Sequence, residues 1–119
     1  MFEIKIKNYH LGINYVRSQR RGGGLSLVIH ESLRFQKYDE IIKIKCTEIE
    51  KIAVEINEKN GRKSLIIGCY RPPNSNLKKS FEELELIMEI AHLSNLPTII
   101  TGDKETYTVV SLRLSSYVV

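Results

Sequence analysis

Two short stretches place reactive polar side chains at the ends of apolar runs. In SLIIGCYRPPN, residues 64–74, the run ends at Tyr70 and is followed by Arg71, two prolines and Asn74. In LPTIITGDKET, residues 96–106, it ends at Gly102-Asp103 and continues into Lys104-Glu105. A phenol can hydrogen-bond a phosphate oxygen, and a guanidinium can pair with one. A carboxylate delivered to a strand end can activate water. The chemistry these types could do is the handling of a phosphate ester. Taken singly, each stretch has a plainer reading: a tyrosine packed on a turn, and an aspartate as turn former or helix cap.

The elements that must position these residues are legible around them. KIAVEINEKNGRKSLIIGCY reads as a hairpin, with Ile52, Val54 and Ile56 on one strand face and Asn60-Gly61 expected as a type I′ turn. Its second strand is nearly continuous in apolar residues, as in a strand covered on both faces. YRPPN must be a loop, because proline has no N–H to give a central strand. NLKKSFEELELIMEIAHLSN predicts a helix over about 77–93. Asn76 or Ser75 should cap it, and Leu77, Phe81, Leu84, Met88 and Ala91 should form its apolar stripe. Pro97 ends the connection, and TIIT is the next strand.

Strand, loop, helix, strand is a crossover unit, so 64–70 and 98–101 are expected parallel in one sheet. Both then end on the same edge. That edge, where open α/β sheets build their sites, would bring Tyr70 toward Asp103.

Elsewhere the pattern is sparser. FEIKIK, residues 2–7, alternates apolar and charged residues like a half-exposed strand. Residues 25–30 and 41–46 read as further strands. The tail from 106 carries one charge, Arg113, and has the propensity of an edge strand. Residues 1–105 are expected to form one domain or part of one, and 106–119 a divergent tail. RRGGGL precedes a strand rather than opening a helix, so it is not a phosphate-binding P-loop.

The chain has 119 residues, 42% of them hydrophobic, and a formal charge of +4. That composition excludes a disordered chain. No apolar run approaches the ~18 residues of a membrane span, so no membrane partner is expected. The N-terminus lacks the apolar core of a signal peptide, which points to an intracellular protein, nuclear or cytoplasmic. Basic residues gather early: Lys5, Lys7, Arg17, Arg20 and Arg21 stand against Glu3 within residues 1–24. Such a segment can neutralise phosphates, and Arg17, Arg20 and Arg21 beside the glycines make a candidate DNA-contacting loop. Cys46 and Cys69 belong to no C-x-x-C pair and are expected to pack as small free hydrophobes. His10, His30 and His92 show no ligand spacing, so no metal site is assigned.

The order GGGLSLVI, EIEKIAVEI, SLIIGCYRPPNS, an acidic amphipathic helix and LPTIITGD resembles the endonuclease/exonuclease/phosphatase superfamily. It looks most like the endonuclease domain of non-LTR, LINE-type retrotransposons, whose relatives include the apurinic/apyrimidinic endonucleases. The resemblance covers residues 8 to 103 and about half of the family's domain. It implies a partial four-layer α/β sandwich (α/β in class, with α+β character) of two mixed sheets packed face to face, with one main crossover helix. It implies a phosphodiester hydrolase acting on DNA with Mg²⁺ or Mn²⁺. Tyr70 matches the family's active-site tyrosine, and Asp103 the aspartate of its Gly-Asp-x-Asn turn. Arg17, Arg20, Arg21, Arg71 and Asn74 become candidate nucleic-acid contacts.

Glu105 stands where that turn carries asparagine. An ionised carboxylate cannot donate a hydrogen bond and adds negative charge beside the phosphate. The family's early asparagine and metal-binding glutamate would lie before residue 1, and its late Asp-His pair after residue 119; no Asp-His dipeptide occurs in the chain. The expectation is a retrotransposon endonuclease fragment without nuclease activity. The alternative is a non-catalytic module that binds nucleic acid or associates with protein, including itself, through exposed sheet surface.

Overall fold

The computed structural model describes residues 9–15, 24–102 and 107–112. FEIKIK, the basic loop with Arg17, Arg20 and Arg21, and Asp103 with Lys104 and Glu105 lie outside the described residues.

The clearest segment of the sequence builds the centre. β4 (Glu50–Asn57) and β5 (Lys63–Tyr70) pair antiparallel along their whole length, from Glu50 opposite Tyr70 to Asn57 opposite Lys63. β3 (Arg34–Lys37) adds to the outer edge of β4, antiparallel. β6 (Thr98–Gly102) pairs in parallel with β5, Leu65 opposite Thr98 through Cys69 opposite Gly102. The result is a mixed four-stranded sheet in the order β3-β4-β5-β6. The crossover and parallel pairing expected for this segment are present, and β5 is interior.

A second, three-stranded sheet has the order β1-β2-β7. β2 (Gly24–His30) runs antiparallel to β1 (Tyr9–Tyr15) and parallel to β7 (Tyr107–Leu112). Residues of the tail thus supply β7, an outer strand of this sheet among the described residues. β1, by contrast, is not among the strands expected from the sequence, although Tyr9, Leu11, Ile13 and Tyr15 alternate with His10, Gly12 and Asn14.

The two sheets pack face to face. β2 sends Leu25, Leu27 and Ile29 inward against Ile52, Val54 and Ile56 of β4 and Ile66 and Tyr70 of β5. The opposite face of the four-stranded sheet is covered by helices. There Ala53, Leu65 and Ile67 meet Ile41, Ile87 and Ala91. Alternation along β5 divides its side chains between these two cores, which is why its sequence is apolar throughout. The protein is an α/β sandwich with two mixed sheets and a helical layer outside one of them. Among the described residues no helix is long and apolar enough to cross a membrane.

Three local expectations are corrected. Residues 41–46 are not a strand. Asp39–Ile42 form a single helical turn, α1, and 43–49 continue as a loop. A single helical turn is too short for apolar spacing to tell it from a strand, and Ile41 is buried from the helix.

The hairpin turn is not type I′. Gly61 N–H bonds the Glu58 carbonyl at 3.0 Å, and Gly61 alone there takes positive φ, +88°. Asn60 instead accepts the Arg62 N–H on its side chain at 3.0 Å. This is a type I turn closed by a left-handed glycine, the longer hairpin solution.

The main helix, α2 (Leu77–Leu93), has the expected bounds and is capped by Asn76, whose side chain accepts from Lys79 N–H at 2.9 Å. Its buried face, however, is Ser80, Ile87 and Ala91, with Leu84 partly covered. Leu77, Phe81 and Met88 are 53%, 60% and 51% exposed. At 100° per residue the true face is rotated from the expected stripe by roughly 50–60°. Small Ser80 admits the close approach; its hydroxyl is satisfied by the Asn76 carbonyl at 2.7 Å.

Candidate functional site at the carboxyl ends of β5 and β6

The two chemistry-bearing stretches converge as far as they are described. Cys69 and Gly102 are register partners, and each immediately precedes a candidate residue in the sequence, Tyr70 and Asp103. Gly102 is required by this closeness. A β-carbon there would collide with the Cys69 carbonyl oxygen, so only glycine fits. The glycine of the IITGD stretch is thus explained by packing, independent of any chemistry that follows it.

Beside these strand ends lies an open cavity of about 260 Å³, between the sheet and the first turns of α2. Tyr70, Arg71 and Gly102 form its strand side, and Phe81, Leu84 and Ile49 its apolar wall. Tyr70 is only 2% exposed and belongs to the core between the sheets. Arg71 is exposed, and its Nη1 reaches the Ser75 hydroxyl at 3.5 Å. Asn74 is exposed on the same loop.

That loop is stiff. Pro72 is buried, its carbonyl accepts the Ser75 N–H at 3.1 Å, and Asn76 N–H bonds the Glu48 carboxylate at 2.6 Å. The first turn of α2 holds no acid but contains Lys78 and Lys79. Arg71 and those two lysines place positive charge around the loop, while the Glu48 carboxylate already sits at the positive end of the helix.

A residue that sequence reasoning missed organises the cavity wall. Glu83 on α2 accepts the backbone N–H groups of Thr47, Glu48 and Ile49 at 2.8, 3.0 and 3.0 Å, and the Thr47 hydroxyl at 3.2 Å. Partial burial pushes the Glu83 carboxyl up, but the amide donors outweigh it and hold it below the usual range. The clamp fixes the loop that carries Ile49. No local pattern announces it, because the partners lie 34–36 residues apart.

Of the residues lining the cavity none is a carboxylate. Among the described residues no three His, Cys, Asp or Glu side chains gather as a metal site. No family model, curated protein or solved structure matches this chain.

Proposed function

We propose that the chain is part of a retrotransposon-type endonuclease/exonuclease/phosphatase domain that retains a phosphate-binding edge and has lost DNA cleavage. The observation that carries this reading is the register of β5 and β6. It sets Cys69 against Gly102, directly before the two positions that match the family motif. The exposed Arg71 and Asn74, on a loop braced by Pro72, support a role in contacting nucleic-acid phosphates. Glu105 in place of the family's asparagine supports loss of cleavage, since it cannot donate to the phosphate. The partner is DNA, met in the nucleus or cytoplasm. A second mode is self-association, favoured by the exposed flank of α2 beside the edge strand β6.

Two assays test this. In a plasmid-nicking assay with Mg²⁺ or Mn²⁺, the chain leaves supercoiled DNA intact. Nicking that disappears in Asp103→Ala would overturn the loss of cleavage. In a fluorescence titration, duplex DNA binds at low salt and the affinity falls steeply as salt is raised. Arg71→Ala lowers it about tenfold, and the combined change of Arg17, Arg20 and Arg21 to alanine lowers it further. Absence of binding at low salt would remove the nucleic-acid reading altogether.

A further inference from the structure

The two cysteines lie far apart in sequence and are both unbonded and half-buried. The fold brings them to one place. Cys69 is on the helix-facing side of β5, in line with Leu65 and Ile67, and its partner across the ladder is Lys51. The Lys51 ammonium donates to the Ile44 carbonyl, two residues before Cys46. One residue after Cys46, Thr47 is held by Glu83 through both its N–H and its hydroxyl. The 44–47 segment is thus strapped from both sides over the Lys51–Cys69 pair, and both cysteines pack on the same apolar cluster.

Their electrostatics agree with that closeness. Burial pushes the Cys69 thiol up to about 11, and repulsion from Cys46 is the next cause, opposed by Lys51. Burial likewise raises Cys46; Lys51 then lowers it and Glu83 raises it.

We infer that Cys46 and Cys69 form a redox-responsive pair, joined on oxidation by an intramolecular disulfide that bonds the 43–49 loop to β5. With a low-molecular-weight disulfide as oxidant, the Cys46 thiolate, beside the Lys51 ammonium, attacks one sulfur. That S–S bond breaks and the first small thiolate leaves with the electron pair. The Cys69 thiol then gives up its proton, attacks the Cys46 sulfur and expels the second small thiolate. Two protein thiols are oxidised and one small disulfide is reduced to two thiols. Because both thiols sit above their ordinary range, the exchange is slow at neutral pH and faster toward pH ~9.

The test uses the full chain, dilute and natively folded, incubated with oxidised glutathione near pH ~9. Remaining thiols are then alkylated and the chain digested. The expected product is a Cys46–Cys69 cross-linked peptide with neither cysteine alkylated. The oxidised chain melts about 10 °C higher than the reduced one, because the bond closes a loop of about two dozen residues. A reductant reverses both changes. Cys46→Ser and Cys69→Ser should each carry one stable glutathione adduct and show no rise in melting temperature. A wild-type chain that takes up two glutathiones without cross-linking would overturn the inference. So would cross-links found only between chains, or only after denaturation.

Discussion

Glu83 shows how one side chain can hold a site without touching its chemistry. It gathers three consecutive amides and a hydroxyl from the loop that walls the cavity. Its carboxyl is lowered in the folded state, so its stabilisation is complete above about pH 5 and is lost as acidification passes through the folded-state pKa. Glu83→Gln keeps one acceptor oxygen but loses the charge. Charge-assisted bonds are worth more than neutral ones, yet this group is largely solvated, so the expected cost is only ~1–2 kcal/mol in urea unfolding at neutral pH. The variant should also lose less stability than the parent between about pH 5 and pH 3. Equal midpoints and parallel pH profiles for the two chains would show that the clamp contributes nothing. Such a residue is invisible to local reading, whereas the sequence named Tyr70 and Gly102 because their signal, the end of an apolar run, is local.

Among the elements, α2 separates what periodicity can and cannot resolve. Its limits were legible: Asn76 is an N-cap type, and Pro97 forbids continuation beyond the connection. The helix stops where Asn95 takes a positive φ of 59°, a conformation asparagine tolerates. The facing was not legible, because apolar residues surround much of the helix and the buried seam begins at a serine. Ile87 is fully buried, while Met88 is 51% exposed. Ile87→Ala should therefore cost ~2–5 kcal/mol, and Met88→Ala under ~1 kcal/mol, by equilibrium urea unfolding. Comparable losses, or a larger one at Met88, would restore the stripe expected from spacing alone. The same limit explains α1, too short for period to decide. The hairpin fared better: β4 and β5 followed from alternation and a glycine turn, although the turn type depended on a backbone angle that Asn-Gly leaves open.

At the scale of the molecule, two apolar cores share one sheet: one between the sheets, and one between the four-stranded sheet and the helices. Sequence could place β5 at their common wall, since its apolar residues run unbroken. It could not show which surfaces stay open, because that depends on how elements distant in the chain are rotated. The rotation of α2 leaves Leu77, Phe81 and Met88 exposed, and Ile100 of β6 is 40% exposed. Ile100 shares the helix-facing side with its partner Ile67, and β6 is the edge of its sheet. A strand edge with no partner among the described residues, beside an apolar helix flank, is a surface that favours association. The charge on α2 suits a two-fold arrangement: Lys78 and Lys79 begin the helix and Glu85 and Glu89 follow, so antiparallel copies would oppose unlike charges. Sedimentation velocity over a hundredfold range of concentration should show a monomer–dimer shift. Phe81→Lys with Met88→Glu should move it toward monomer by at least tenfold in dissociation constant, since two large apolar contacts are lost at ~1–3 kcal/mol each. Both positions are more than half exposed, so melting temperature should scarcely change and the effect can be assigned to the interface. A wild-type chain that remains monomeric across the range would leave phosphate contact as the only proposed use of this end of the sandwich.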